Sequence, residues 1–198
     1  NVLKNSDFIT SAFAPEYGNA IAGVFDLGFR KGNSDKREHT FQFGAFTGLE
    51  FMTEGPFRKG TGASYMIAYR YSFTGIAQAI GLNIGTAATP NYQDLTFKIT
   101  SGKTKLGTFS LFGLGGLSDI DFLHNKIDTT DVFADPTRDS YSKSALGLIG
   151  VSHQIQINSK SFLKTVIGAN YSNNSFDRDT LDVTKTLATR ALEISTKE

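Results

Sequence analysis

Glu50 and Glu54 are the first residues whose types and spacing could do chemistry, since glycoside hydrolysis needs two carboxylates flanking one bond. Four residues apart on one face of a strand, they stand about 13 Å from each other. Working pairs are closer, at about 5–9.5 Å. His39, His124 and His153 fall on different elements without ligand spacing, which gives no metal site. Asp119, Asp121, Asp128, Asp131, Asp135 and Asp139 crowd one stretch, but without the regular spacing and glycine of an EF-hand loop they read as solvated loop. Gly113-Leu114-Gly115-Gly116 lacks the third glycine of a nucleotide-binding turn and lies within a strand, where glycines relieve curvature. No serine stands in a Gly-x-Ser-x-Gly elbow. The absence of cysteine removes thiol catalysis, Cys-ligated zinc and disulfides. No catalytic, cofactor-binding or metal-ligating residue is assigned, substrate-binding residues remain unassigned, and the chain reads as non-enzymatic.

The residues that do form a pattern belong to strands. From Ala63, the side chains of Ala63, Tyr65, Ile67, Tyr69, Tyr71 and Phe73 alternate with Ser64, Met66, Ala68, Arg70, Ser72 and Thr74, and a period of two sorts them onto opposite faces. Leu49, Phe51 and Thr53 alternate in the same way with Glu50, Met52 and Glu54, and Gly55-Pro56 with Arg58-Lys59-Gly60 supplies hairpin turn residues. One wall is apolar and aromatic; the other carries Glu50, Glu54 and Arg70. Transmembrane β-barrels have this surface, apolar to lipid and polar to the lumen, and a soluble β-sandwich shows the same alternation. The aromatic row could stack sugars or form a membrane girdle, although core packing or lipid contact is the default on an apolar face.

Residues 1–33 differ from the rest. Asn5-Ser6-Asp7-Phe8 and Ala14-Pro15-Glu16-Tyr17-Gly18-Asn19 are turn-rich, and residues 20–30 form a short extended segment. The charged run at 33–38 is a solvated connector, placing a boundary between 1–33 and 34–198. About seven strands are then predicted, over 39–46, 49–57, 63–74, 91–100, 106–118, 141–157 and 162–173. A loop follows from Asn174, where Asn173-Asn174-Ser175 matches a glycosylation acceptor. The chain ends in a charged, helix-compatible tail. Short turns at 58–62, 101–105 and 158–160 alternate with long loops at 75–90, 119–140 and beyond 174, as in an up-and-down outer-membrane barrel.

Strand charges agree with two-faced strands. Glu50, Glu54, Arg70, Asp94 and Lys98 avoid the apolar face, and Lys164 sits with Val166, Gly168 and Asn170 on the polar one. His153 is the exception, near the turn at Asn158. The net charge of +1 gives no argument for nucleic acid. No run of about 18 apolar residues could form a transmembrane helix. Both ends read as cuts through a longer protein.

Taken together, these residues resemble a TonB-dependent outer-membrane receptor of the Bacteroidetes type, from the end of its plug into its first barrel strands. The resemblance rests on Ala14-Pro15-Glu16-Tyr17-Gly18-Asn19, Gly23-Val24-Phe25-Asp26-Leu27 and the exit Arg30-Lys31-Gly32-Asn33. It continues through Phe41–Gly48, Glu54-Gly55-Pro56-Phe57, Tyr69-Arg70-Tyr71-Ser72 and Tyr92-Gln93-Asp94-Leu95. The sequence departs from the starch-utilisation subgroup, whose plug ends in a run of isoleucines and Thr-Lys-Lys-Gly. The resemblance implies an all-β chain: the C-terminal piece of a plug (1–33), then the first strands of a barrel of about 22 (34–198). It also implies active import of a scarce solute (siderophore, cobalamin, peptide or glycan), with TonB, engaged through a segment outside this chain, and outer-membrane lipid as partners. Glu50 and Glu54 would then line the lumen or touch the plug, and loops 75–90 and 119–140 would be the places for substrate contact. The competing readings are a passive outer-membrane channel or adhesin barrel, and a soluble β-sandwich or lipocalin-like binding protein.

Overall fold

A computed structural model describes residues 2–10, 13–15, 17–18, 22–44, 48–72, 88–124, 137–181 and 188–197. The described chain is almost entirely β, its strands pair antiparallel, and it contains no α-helix. Strands β1 (Leu3–Ile9) and β2 (Val24–Phe29) form a two-stranded sheet. An eight-stranded sheet follows in strict sequence order: β3 (Glu38–Gly44), β4 (Gly48–Pro56), β5 (Ala63–Tyr71), β6 (Ala88–Ser101), β7 (Thr108–Phe122), β8 (Arg138–Asn158), β9 (Ser161–Leu181) and β10 (Ala188–Lys197). Its outermost strands are β3 and β10.

The register carries each face across the sheet. Phe41, Phe51, Tyr69, Leu95, Gly115, Gly147 and Tyr171 lie in one cross-strand row, and Glu38, Glu54, Met66, Lys98, Phe112, Gly150 and Gly168 in another. The first row belongs to an outer face left bare: Phe41 is 67% and Ile167 72% exposed. The second belongs to an inner face on which the N-terminal segment packs. The buried side chains of that face include Met52, Met66 and Ala68 together with Glu54, Ser64, Ser72, Thr96, Thr100 and Ser110. Thr100 and Ser110, paired in register, satisfy each other at 3.2 Å.

Two bulky residues explain why glycines are tolerated mid-strand. Phe97 lies across Gly113 on the outer face and Phe112 lies across Gly150 on the inner face, each on its direct cross-strand partner. An aromatic ring thus covers the gap a missing side chain leaves. At the turn after β6, Gly102 has φ +75° and its Cα faces the Thr61 carbonyl, a conformation and a closeness that only glycine meets.

Four expectations are corrected. Asn5-Ser6-Asp7-Phe8 is not a turn but part of β1, where a register irregularity between Leu3 and Ser6 accommodates the polar run and Phe8 stacks on Phe25 at 4.3 Å. No loop begins at Asn174; β9 continues to Leu181, because backbone pairing to β8 and β10 holds a strand whatever its side chains. The helix-compatible tail is β10, where pairing overrides the propensity of Ala, Leu, Glu and Lys, so the sheet has eight strands rather than seven. The expected loop 119–140 is shorter, since β7 runs to Phe122 and β8 starts at Arg138. Most of the expected loop 75–90 lies outside the described residues.

Candidate functional site

The inner face is occupied by a strap formed from residues 29–38. The Arg30 guanidinium donates from Nη1 and Nη2 to the two Glu54 carboxylate oxygens, both at 2.6 Å, and the Asn33 amide donates to the same carboxylate at 2.7 Å. A bidentate guanidinium–carboxylate pair is the strong form of this contact. It holds the Arg30 pKa above its ordinary value, chiefly through the hydrogen bond to Glu54, against the opposing effect of partial burial. Gly32 passes so close to the Tyr65 carbonyl that a Cβ would overlap it. Lys98 Nζ donates to the Phe29 carbonyl at 2.7 Å, and the Phe29 ring meets Phe112 at 6.4 Å. The strap therefore crosses β4, β5, β6 and β7 in turn.

Between the β1–β2 hairpin and the sheet lies a cavity of about 660 Å³. Its apolar wall includes Leu27, Phe29, Phe112, Leu148 and Val166. Its charges are divided along the strands. Towards the long-loop end, Arg70 pairs with Asp94 at 2.7 Å, with Glu50 in register beside it. Towards the short turns stand Lys98 and Lys164. Among the described residues neither Lys98 nor Lys164 forms an ion pair.

The residues considered for chemistry are dispersed. Glu54 is tied to Arg30 while Glu50 lines the cavity. His39 stacks on Phe51, His124 bonds Asp139 at 2.9 Å, and His153 lies on Phe109 with Nε2 2.6 Å from the Leu106 carbonyl. Among the described residues no three His, Asp or Glu side chains come together as a metal site would require. Asp119 accepts from Asn91 at 3.0 Å, and Asp119 and Asp121 border an open polar cleft of about 720 Å³ with Tyr141 and Lys143. Asp128, Asp131 and Asp135 lie outside the described residues, as do Phe73 and Asn19. Tyr65, Tyr69 and Tyr71 stand on the outer face, and Tyr17 donates to Asp26 at 3.0 Å. Asn173, Asn174 and Ser175 lie within the β9–β10 ladder.

The sequence reading missed the Arg30–Glu54 pair and the lysine group. The first had a signal: a carboxylate at an interior position needs a cation, and Arg30 opens the basic stretch before β3. Lys98 and Lys164 come from different strands, and only the fold brings them to one cavity. Comparison of the chain with protein-family models, with curated proteins and with solved structures finds no match.

Proposed function

We propose that this chain is part of a TonB-dependent outer-membrane receptor, with residues 1–33 ending its plug and residues 34–198 forming the first strands of a barrel that imports a scarce solute. The observation that carries the reading is the inversion of the sheet. A half-buried sheet in water packs its apolar face and solvates its polar one. Here the polar face is covered by the N-terminal segment from β4 to β7, while Phe41, Phe51, Leu95, Ile149, Val151 and Ile167 stay bare across the sheet. A continuous apolar surface of this extent calls for a partner, and hydrocarbon is the partner that suits strands whose other face is polar.

The height of the bare band supports the same partner. On β7 the outer face is Phe109, Leu111, Gly113, Gly115 and Leu117, then turns polar at Asp119; on β9 it changes between Tyr171 and Asn173. That run matches the roughly 9–11 residues a tilted strand uses to cross a bilayer. The strap then has the position of a plug exit held inside the lumen, and the chain's role is passage rather than chemistry.

Two measurements test the reading. The chain lacks cysteine, so single cysteines at Ile167 on the outer face and Lys143 above the band can be labelled in outer-membrane vesicles with a water-soluble maleimide. Protection of the first with labelling of the second is expected; equal labelling would overturn the membrane assignment. Growth of the parent organism on limiting iron, cobalamin, peptide and glycan sources tests import. A defect rescued by wild type but not by a TonB-uncoupled protein is expected, whereas rescue by the uncoupled form would make it a passive pore.

A further inference from the structure

We infer that the cavity between the β1–β2 hairpin and the inner face is a binding site for an amphipathic organic anion, its carboxylate held by Lys98 and Lys164 and its aliphatic body lying against Phe29, Phe112 and Leu148. The inference goes beyond import: it needs neither the membrane nor TonB.

Three features of the cavity point to that chemistry. Its volume, about 660 Å³, falls within the range of small-molecule sites, which are mostly apolar with a few placed polar groups. Its walls are apolar on both sides, Leu27 and Phe29 from the hairpin and Phe112, Leu148 and Val166 from the sheet. Its charges are segregated. At one end the acidic groups are already engaged, Asp94 by Arg70, with Glu50 alongside. At the other end Lys98 and Lys164 both line the cavity without a carboxylate partner among the described residues, and an anion placed there would offset their like charge. Lys98 is fixed by its bond to the Phe29 carbonyl, which leaves two of its three donors for a ligand.

The carboxylate and the alkyl chain make separate predictions. A neutral alcohol of equal length keeps the apolar contact and loses the ionic one, while a short carboxylate such as acetate keeps the charge and loses the wall. Binding should therefore need both parts on one molecule. Lys164 is exposed on β9, so replacing it leaves packing intact, whereas replacing Lys98 also frees the Phe29 carbonyl.

The test is equilibrium dialysis of radiolabelled octanoate against the purified full-length protein in a nonionic detergent, with a detergent-only control. Octanoate should bind saturably, and octanol should compete at least about tenfold more weakly, as expected for loss of a charged hydrogen bond. Lys164→Gln should weaken octanoate by about the same factor and leave octanol unchanged, with circular dichroism reporting an intact sheet. Lys105→Gln, at the β6–β7 turn, should change neither. Equal competition by octanol would reduce the site to an apolar pocket, and an equal effect of Lys105→Gln would reduce it to general surface charge; either overturns the inference. No saturable binding would overturn it as well. A failed import experiment leaves every one of these outcomes readable.

Discussion

The strands β4–β6 and the strands β8–β9 obey the same period of two, yet they live in different surroundings. On β4–β6 the inner face is sealed by the strap: Met66 is fully buried and Glu54 only 5% exposed. On β9 every described side chain from Ser161 to Tyr171 is exposed, on both faces, although β9 has the longest ladder with its neighbour. Alternation alone therefore makes a strand two-faced without burying either face. Burial depends on what covers the sheet, and the covering contacts among the described residues run from Glu54 through Tyr65 and Lys98 to Phe112.

The contrast can be broken most severely at its anchor. Glu54→Leu leaves the half-buried Arg30 guanidinium facing an apolar wall and the Asn33 amide without its acceptor, and removing one member of a pair costs up to about 3–5 kcal/mol where both are buried. A drop of that size in unfolding free energy is expected for the full-length protein, with faster proteolysis before Asn33. An unchanged denaturant midpoint would mean the strap does not hold the sheet.

Matched truncations sharpen the comparison. Met66→Ala, beneath the strap, should cost about 2–5 kcal/mol through lost burial and a residual cavity. Val166→Ala sits on the same inner face of β9 at 52% exposure and should fall within about 0.5 kcal/mol of wild type. Equal losses at the two sites, read from urea unfolding, would show β9 to be covered as well.

A smaller effect is expected where the two regions meet. Gly150→Val on β8 would drive a side chain into the Phe112 ring, and overpacking of this kind costs about 1–3 kcal/mol. Pairing it with Phe112→Ala in a double-mutant cycle should recover part of the loss, because the ring is the obstacle. Additive losses would mean that the glycine is needed for backbone reasons instead.

Much of the fold was legible because strand formation leaves a local trace. The alternation over Ala63–Tyr71, the turn glycines Gly60 and Gly102, and the polar placement of Glu54, Arg70, Asp94 and Lys98 are all short-range signals, and all recur in the sheet. Where the trace is weak, reading fails. β1 carries Asn5-Ser6-Asp7, the second half of β9 is polar on both faces, and β10 is rich in helix formers. Each is a strand because a neighbouring backbone offers hydrogen bonds, which side-chain types do not encode.

The cavity lies at the far end of this scale. Lys98 and Lys164 stand on different strands with no spacing that could bring them together on one element, and Arg30 and Glu54 are 24 residues apart. By itself the sequence determined that this chain would be β, meandering and two-faced, because a period of two is a property of neighbouring residues. Only the tertiary structure decided which face is covered, by what, and which charges meet beneath the cover. Those outcomes depend on where a distant segment docks, and the energy of docking belongs to the pair of surfaces rather than to either stretch of sequence.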